Sequence, residues 1–501
     1  MIPKSPSILA ILFLCVYALG CVLLGHPIYR DQHLGAALEY SANGIDLLRP
    51  VILGFNATGT GTPQEFPIWQ AVASLGIDAF AGWWGGATIA SLLLFTIFLP
   101  CFYKVADWEA SSLASAIAIP LLLAQPIVFH LAGGAQTDGL ALAFLLGFIW
   151  SAEFLRRSPS FTSWLACTVL VALLAVTKMP FLMVGGIAAA IYLLWKKASL
   201  KSWALLAGVG VFAILIFLPW NAWCDSEIAR AEFKYRALTI SENPEWFFGS
   251  LAYRLDPANY IKAGWRALGC LWGSFVLVGL TIYGLYLRPK SLGSALLLGA
   301  IIVTLIFTKI VLIHRHYYLT FAPAVALLNT YAIADLAARI KFPNKTTTVL
   351  ASLAASSVLL LSLLQGLMSI EALNLNADPY MKNLGTTLKS QTTPQDRLLV
   401  INGGWGGDLL IHSNRQGLSI DDLKHLENPE SARRLKELGY NKLAIASESP
   451  LLHAVQVTNP GSANLQRITW QTLIPEKARS WQTLYESEAL VIKQIQYPSS
   501  P

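Results

Sequence analysis

Long runs of apolar residues, separated by short basic turns, set the pattern of this chain. A transmembrane helix needs about 20 predominantly apolar residues to cross the hydrocarbon core of a bilayer. By that measure the sequence predicts about eleven spans, at 7–24, 83–103, 110–130, 138–155, 162–178, 180–195, 203–221, 265–287, 292–312, 317–337 and 347–369. The pattern therefore predicts an α-helical, polytopic membrane protein.

The composition agrees with this pattern. Of the 501 residues, 55% are hydrophobic and only 13% are charged, which is about half the charged share of an ordinary soluble domain. The first run is interpreted as a membrane anchor, since no small-x-small cleavage site follows it and further spans come after. The six cysteines lie in or beside spans and form no CxxC pair, so they indicate small buried residues rather than a redox motif.

Basic residues at the ends of the runs predict how the chain crosses the membrane. Lysines and arginines accumulate in cytoplasmic turns, and this explains the net charge of +7 better than a nucleic-acid partner does. They place the N-terminus in the cytoplasm, the long loops 25–82 and 222–264 on the outer face, and the C-terminal segment outside after an odd number of spans. The residues are Lys4, Lys104, Arg156, Arg157, Lys196, Lys197, Lys201, Arg288, Lys290, Arg339, Lys341 and Lys345.

The predicted outer face also carries cations that this topology rule does not explain. Several stand at the edge of a span, where an unpaired charge is costly. They need an anionic partner, either protein carboxylates or a ligand that bears phosphate. These residues are Arg30, Arg49, Lys178, Arg230, Lys234, Arg236, Arg254, Lys262, Arg266, Lys309 and Arg315.

The first outer loop combines charge with a predicted helix. Apolar residues at helical spacing in Gln32–Asn43 predict a helix that ends at Gly44 and lies in the membrane plane. Glu39 and Asp46 match no motif and are interpreted as part of a solvated helix face and a turn. The remaining acids of the loop, Asp31 and Glu65, indicate either a site at the membrane interface or simply a charged, solvated loop.

The tail from Ala377 onward has a different pattern. Residues 397–402, 442–446 and 489–494 are predicted strands, and 431–438 is a predicted helix that ends at Gly439. Strand, helix and strand in succession favour a small α/β domain. The glycine cluster at 403–407 lacks the spacing of a phosphate-binding loop and is interpreted as a tight turn after a strand.

Four segments, in order and on one predicted membrane face, resemble a known enzyme superfamily. An acid, Asp31, follows the first span, and the first loop ends in Glu-Phe-Pro-Ile-Trp-Gln at 65–70. Gln-Thr-Asp at 136–138 opens the fourth span, Thr-Lys-Met-Pro stands at 177–180, and His-Arg-His-Tyr-Tyr-Leu-Thr-Phe-Ala-Pro at 314–323. Over about residues 1–370 the chain resembles the GT-C glycosyltransferases. Among these it is most similar to the aminoarabinose transferases and protein O-mannosyltransferases (dolichyl-phosphate-mannose-protein mannosyltransferase-like).

The resemblance implies a fold and an activity. Residues 1–370 are expected to form a GT-C transmembrane domain of about eleven helices, and 371–501 an external, periplasmic α/β domain. The implied enzyme is an inverting glycosyltransferase of the bacterial inner membrane. It would move a sugar from a polyprenyl-phosphate donor to a lipid, glycan or protein acceptor on the outer face. Glu65-Phe66-Pro67 replaces the Lys-Pro-Pro of aminoarabinose transferases, and Gln32 stands where many relatives have Glu. The first departure argues against aminoarabinose as the sugar.

Such a transfer needs a base for the acceptor hydroxyl and positive donors for the departing phosphate. Asp31 is the candidate base, with simple pairing to Arg30 or Arg49 as the alternative. Glu65 is a second candidate catalytic acid, and Asp138 is expected to orient or neutralise basic neighbours. The candidate substrate-binding residues are Arg30, Arg49, Lys178, Lys309, Arg315, His316, Tyr317 and Tyr318.

Two further expectations concern a metal and the aromatic residues. No cofactor is certain, but Glu65 with a histidine, for example His314, is a candidate site for a divalent metal. Aromatic residues in and beside loop 222–264 are interpreted first as an interfacial belt and second as platforms that stack on a sugar. These are Trp220, Trp223, Trp246, Phe247, Phe248 and Tyr253.

Two other functions remain open on the sequence. A transporter or flippase of a lipid-linked or anionic substrate would bury paired charges near the bilayer midplane in broken, repeated helices, whereas these charges gather at one rim. A block ligase that moves a whole oligosaccharide would share the architecture. The sequence leaves open the donor sugar, the acceptor and single-sugar versus block transfer.

Overall fold

The computed structural model describes residues 31–48, 50, 65–81, 85–110, 112–132, 134, 137–230, 244–339, 379–401, 408–420, 423–447, 469–474 and 476–497. The predicted spans 7–24 and 347–369 and the glycine cluster at 403–407 lie outside the described residues. The chain divides into two compact units. The first comprises Met1–Ile28, Leu75–Asn221 and Thr239–Ala372, and the second comprises Tyr29–Ser74, Ala222–Leu238 and Leu373–Pro501.

Helices dominate the described chain as far as residue 339. They begin with α1 (Asp31–Asn43), α2 (Ile68–Ala79), α3 (Gly85–Ile97), α4 (Leu99–Glu109), α5 (Ser112–Leu123), α6 (Pro126–Ala132), α7 (Thr137–Arg157), α8 (Phe161–Thr177), α9 (Met179–Trp195) and α10 (Leu200–Arg230). The series continues with α11 (Pro244–Phe248), α12 (Leu251–Leu255), α13 (Pro257–Ala267), a π-helix (Leu268–Trp272), α14 (Phe275–Leu287), α15 (Leu292–Ile306), α16 (Thr308–Ile313), a 3₁₀ helix (Arg315–Phe321) and α17 (Ala322–Arg339).

Several of these helices suit a membrane by length and composition. In the described part, four continuous stretches qualify: Gly85–Glu109, Thr137–Arg157, Leu200–Arg230 and Arg315–Arg339. Each predicted run between 83 and 337 falls on helix, but α8 and α9 have only 17 residues each and α15 has 15. The mostly helical, apolar architecture is confirmed, while the count of eleven spans stays a prediction.

The predicted span 265–287 is wrong as one continuous helix. Pro257–Trp272 and Phe275–Leu287 meet at an angle of 90°. The bend falls at Gly273, whose φ of 64° lies in the left-handed region that glycine favours. Ser274 then starts α14 by accepting a hydrogen bond from the backbone N–H of Leu277. The 110–130 run is likewise divided, into α5 and α6, at a break that precedes Pro126.

Helix α7 lies at the centre of the first unit. Nearly all of its residues are buried, including those that face away from one another around the helix. A helix that is apolar all round must be enclosed by other helices, and α4, α8 and α9 pack on it.

Elsewhere close packing depends on single glycines. A Cβ at Gly284 of α14 would lie 2.0 Å from the backbone oxygen of Leu328 in α17.

The C-terminal segment contains a five-stranded sheet with helices around it. Its elements are α18 (Pro379–Ser390), β1 (Arg397–Ile401), α19 (Asp408–Ser413), β2 (Gln416–Ile420), α20 (Lys424–Glu427), α21 (Pro429–Glu437), β3 (Tyr440–Ala446), α22 (Trp470–Leu473), α23 (Glu476–Arg479), β4 (Thr483–Glu486) and β5 (Leu490–Gln494). The strand order is β2-β1-β3-β5-β4. The β1 strand pairs in parallel with β2 and β3, whereas β5 is antiparallel to β3 and β4.

The sheet is buried on both faces. Leu399 and Leu443 belong to one apolar core, and Leu398 and Ala444 belong to the other, as alternation along a strand requires. The three predicted strands and the predicted helix are found, within two residues at each end. The sequence analysis missed β2, a short strand that contains Gly417, and β4, whose side chains are mostly exposed. That this segment is external, with a boundary near residue 370, stays a prediction.

Helix α1 is found as predicted and ends at Gly44, where φ is 91°. Its apolar face, however, is covered by protein. Leu34 and Ala37 are fully buried, and a Cβ on Gly35 would lie 3.0 Å from the side chain of Ile411 in α19. Packing against α19 removes this apolar surface from water. That α1 lies in the membrane plane stays a prediction.

Candidate functional site

The site in the first unit begins at the break between α8 and α9. Lys178 is extended, with φ of −159° and ψ of 96°, and Pro180 stands in the first turn of α9, which follows it. Proline fits the first turn of a helix, where its missing N–H is not needed. The backbone N–H of Lys178 still closes α8 by donating to Leu174 O at 2.8 Å. The break therefore carries a lysine side chain, only 5% exposed, into the protein.

Asp138 is the acid that faces this lysine. It stands in the first turn of α7 and has no exposed surface. Lys178 Nζ lies 3.6 Å from Asp138 Oδ1. Neither carboxylate oxygen accepts a hydrogen bond from the described residues, so the ion pair is what offsets the desolvation of Asp138. The expectation that Asp138 neutralises a basic neighbour agrees with this geometry.

The 3₁₀ helix provides the other side of the lysine. Tyr317 places its ring centroid 5.8 Å from Lys178 Nζ, within the range of a cation–π interaction. His316 packs on Tyr317 with 4.4 Å between ring centroids, and both side chains are buried. Lys178 thus lies between a carboxylate and an aromatic ring. The structure brings together four predicted residues from segments far apart in the sequence: Asp138, Lys178, His316 and Tyr317.

A chain of aromatic contacts continues from this group. His314 lies 5.2 Å from His316 and 5.6 Å from Trp246 of α11, measured between ring centroids. Lys309 Nζ is 5.7 Å from the ring centroid of Trp246 and 5.8 Å from that of Tyr253. Burial raises the pKa of Tyr253. Two of the aromatic residues predicted as a belt, Trp246 and Tyr253, therefore border a cation of this site, and Trp246 also contacts a histidine.

Arg315 and Tyr318 face a different neighbour. Arg315 lies on the 3₁₀ helix, which packs on α13 and on the π-helix that carries Cys270. Arg266 Nη1 donates to Leu312 O at 2.9 Å, and Tyr318 donates its hydroxyl to the same oxygen at 3.4 Å. Arg266 and Arg315 thus stand on two elements, α13 and the 3₁₀ helix, that contact each other. Arg266 was noted only as an unexplained outer cation, because nothing in its local sequence connects it with the motif at 314–323.

The second unit holds the other candidate acid, Glu65. His33 of α1 is buried, with its Nδ1 3.0 Å from Gln70 Nε2 and its Nε2 3.9 Å from Glu65 Oε2. The ring of Trp69 meets that of His33 edge-on at 6.3 Å. If the amide of Gln70 donates to Nδ1, the proton of neutral His33 is on Nε2 and faces Glu65. No local pattern in the sequence assigns a role to His33 or to Gln70.

Three predicted site residues lie wholly or partly outside the described residues. Asp31 is the first residue of α1, and its side chain is outside the described part, as are Arg30 and Arg49 altogether. Their predicted roles stay predictions. For the metal, the described residues include no group of three or more His, Cys, Asp or Glu side chains placed to hold an ion. The histidine described next to Glu65 is His33, and a metal site that includes Glu65 and His314 stays a prediction.

The fold of this chain resembles those of solved proteins, although its sequence has no match among families or curated proteins. No family model and no curated protein matches the sequence. The crystal structure of ArnT from Cupriavidus metallidurans in the apo state matches with a TM-score of 0.55 and 12% identity, over 98% of this chain and 98% of that chain. The crystal structure of ArnT from Cupriavidus metallidurans bound to undecaprenyl phosphate matches with a TM-score of 0.55 and 12% identity, over 97% of this chain and 97% of that chain.

A third solved structure has the same architecture. It is the apo form of an oligosaccharyltransferase from Archaeoglobus fulgidus, with a TM-score of 0.53 and 9% identity, over 92% of this chain and 72% of that chain. At such identities the likeness concerns the fold. The fold that the resemblance predicts, which is that of ArnT and of this oligosaccharyltransferase, is therefore confirmed.

Proposed function

We propose that this chain, with its GT-C fold, is an inverting glycosyltransferase that takes a sugar from a polyprenyl-phosphate-linked donor. The acceptor would be a hydroxyl of a lipid, glycan or protein at the outer face of a bacterial inner membrane. The observation that carries the proposal is the buried Lys178, held between Asp138 and Tyr317 at one end of the helices. The related fold of ArnT, crystallised with undecaprenyl phosphate, supports the donor class.

The chemistry of the donor explains why cations are needed. When the glycosidic bond breaks, negative charge develops on the departing lipid phosphate. Preorganised positive donors stabilise such charge most effectively where water is excluded. Lys178 is held in place, since Asp138 fixes its ammonium and the Tyr317 ring borders it. Lys309, embedded between Trp246 and Tyr253, and also Arg266 and Arg315 are the further candidates for the phosphate.

The base would come from the first outer loop. An acceptor hydroxyl has a pKa far above neutral, so a carboxylate can take its proton only as the bond to the sugar forms. We assign this role to Asp31. Glu65 is the alternative, because it lies beside a buried histidine that Gln70 orients. The acids of the second unit and the cations of the first are tested separately.

The test uses purified protein in lipid nanodiscs, a panel of polyprenyl-phosphate sugars and a membrane extract as acceptor. Removing general-base assistance costs about 100- to 10,000-fold in rate. We therefore expect Asp31→Asn to lower product formation at least about 100-fold while expression and folding stay unchanged. Neutralising Lys309 or Arg315 is expected to weaken donor binding by about 1.5–3 kcal/mol, the range for a charge-assisted bond.

Controls separate the alternatives. Glu39→Gln removes an acid from α1 that hydrogen-bonds only with Asn43 among the described residues, and it should not affect turnover. Near-normal turnover of Asp31→Asn, together with an inactive Glu65→Gln, would assign the base to Glu65. Movement of the lipid-linked sugar across vesicles without any product would instead indicate a flippase, and the proposal would be abandoned.

A further inference from the structure

A second cluster of cations lies at the opposite ends of these helices. Helix α9 connects the two, since Lys178 precedes its first residue and Lys196 follows its last. A helix of 17 residues is about 26 Å long. At the Lys196 end there is a cavity of about 330 Å³, lined by Glu109, Lys196, Arg288, Pro289, Lys290 and Ser291. It belongs to the first unit and is separate from the site described above.

A buried carboxylate holds the walls of this cavity together. Glu109, at the end of α4, accepts hydrogen bonds from the hydroxyls of Tyr192 and Tyr331 and from the backbone N–H of Leu292, at 3.0 Å in the last case. Its carboxylate lies 3.8 Å from Lys196 Nζ. The lining itself comes from the ends of α4 and α9 and from the turn 288–291 between α14 and α15. The contacts of Glu109 tie that end of α4 to α9, α15 and α17.

The carboxylate of Glu109 interacts with these partners. The cavity lining as a whole carries an excess of positive charge. Three cations line it against one acid. Arg288 is positioned by a hydrogen bond from its guanidinium to the backbone oxygen of Glu109 and by the ring of Tyr331, 5.2 Å from its Cζ. The first residues of α15 add the positive end of a helix. A bias of basic residues to one membrane face explains the sign of these charges, but not their convergence on a cavity.

We propose that this cavity binds a phosphate monoester or diester, supplied either by the headgroup of a membrane phospholipid or by a soluble phosphate compound. An ordered arginine and two lysines match the strong acceptor oxygens of such a group. The volume admits a phosphate with part of its substituent. Because the two clusters are about 26 Å apart along α9, this anion is distinct from the phosphate of the sugar donor.

The experiment measures binding to the full chain, purified and reconstituted in nanodiscs. The probes are phosphatidylglycerol, its neutral counterpart phosphatidylcholine, and inorganic phosphate in the buffer. The variants are Arg288→Gln, Lys290→Gln and the double variant. Lys201→Gln is the matched control, because it removes an exposed cation at the start of α10 that does not line the cavity. Retained lipid is counted by native mass spectrometry, and anion binding by thermal shift.

We expect the double variant to lose about tenfold or more in affinity for the phosphate group, with Lys201→Gln unchanged. Loss of retained phosphatidylglycerol, with no response to inorganic phosphate, would identify a lipid headgroup as the source. A thermal shift with inorganic phosphate that the double variant lacks would identify a soluble compound. Equal binding by the wild type and the double variant, or an equal loss in Lys201→Gln, would overturn the proposal. Sugar transfer measured on the same samples shows separately whether the proposed activity stands.

Discussion

The buried pair of Lys178 and Asp138 makes the sharpest prediction about energetics. At 3.6 Å and an effective dielectric constant of about 20, the attraction amounts to about 4–5 kcal/mol. Both side chains are almost fully buried, so solvent screening reduces this little. Replacing one partner leaves an uncompensated charge inside the protein, which costs about 3–5 kcal/mol. Lys178→Met alone is therefore expected to destabilise the first unit by about that amount.

The double variant Lys178→Met, Asp138→Leu separates structure from function. Two apolar side chains of similar volume are often as stable as the ion pair they replace, so the double variant should regain most of the lost thermal stability. It should not regain donor binding, because the lysine is absent. The assay is thermal unfolding in nanodiscs, beside transfer activity. If the double variant is no more stable than Lys178→Met, the two charges are not coupled and the account of this site is wrong.

Three further outcomes can be checked. Burial alone would raise the pKa of Asp396, but hydrogen bonds from Lys442, Thr393 and Asn441 lower it to about 2. Asp396→Asn should thus lower the free energy of unfolding by about 2 kcal/mol at neutral pH, and this difference from the wild type should vanish as the pH falls from about 4 to 2. Amide hydrogen exchange of β1 and β3 measures the difference, with Glu486→Gln, at an exposed position, as the control. Gly284→Ala should destabilise by about 1–3 kcal/mol or more through contact with Leu328, whereas Gly279→Ala, which meets no atom within 4 Å, should not; equal melting temperatures would contradict this. A reporter fused after Pro501 should be active outside and one after Lys290 inside; activity on the same side would refute the topology.

The helical fold could be predicted because its signals are local. Apolar runs give the spans, and Pro180 and Gly44 mark where helices begin and end. The bend at Gly273 could not be predicted, because the run 265–287 is apolar and a glycine inside it is compatible with a continuous helix. What covers the apolar face of α1 could not be predicted for a related reason. Leu34 and Ala37 predict an apolar face, but not whether lipid or Ile411 covers it.

Candidate site residues could be predicted where motifs place a charge at a helix end, and their roles stay predictions. Lys178 and Asp138 each adjoin a span end in the sequence, and the structure pairs them. Contacts that depend on tertiary packing could not be predicted from the sequence. Nothing around Arg266 indicates that its helix contacts the 3₁₀ helix of Arg315, and nothing around Gln70 indicates that it orients His33. Such pairs are separated by dozens of residues, so they follow from the arrangement of helices and not from any local pattern.

The length of helix α10 relates the protein to the thickness of the bilayer. It has 31 residues, about 46 Å, which is longer than the hydrocarbon core of about 30 Å. Lys201 and Trp220 lie roughly 29 Å apart along its axis at 1.5 Å per residue, and lysine and tryptophan are residues that settle at the two interfaces. The last turns, from Asn221 to Arg230, then stand beyond the hydrocarbon. In a thinner or thicker bilayer, either this helix would tilt or the bilayer would deform around it. The protein's activity should therefore depend on the acyl-chain length of the surrounding lipid.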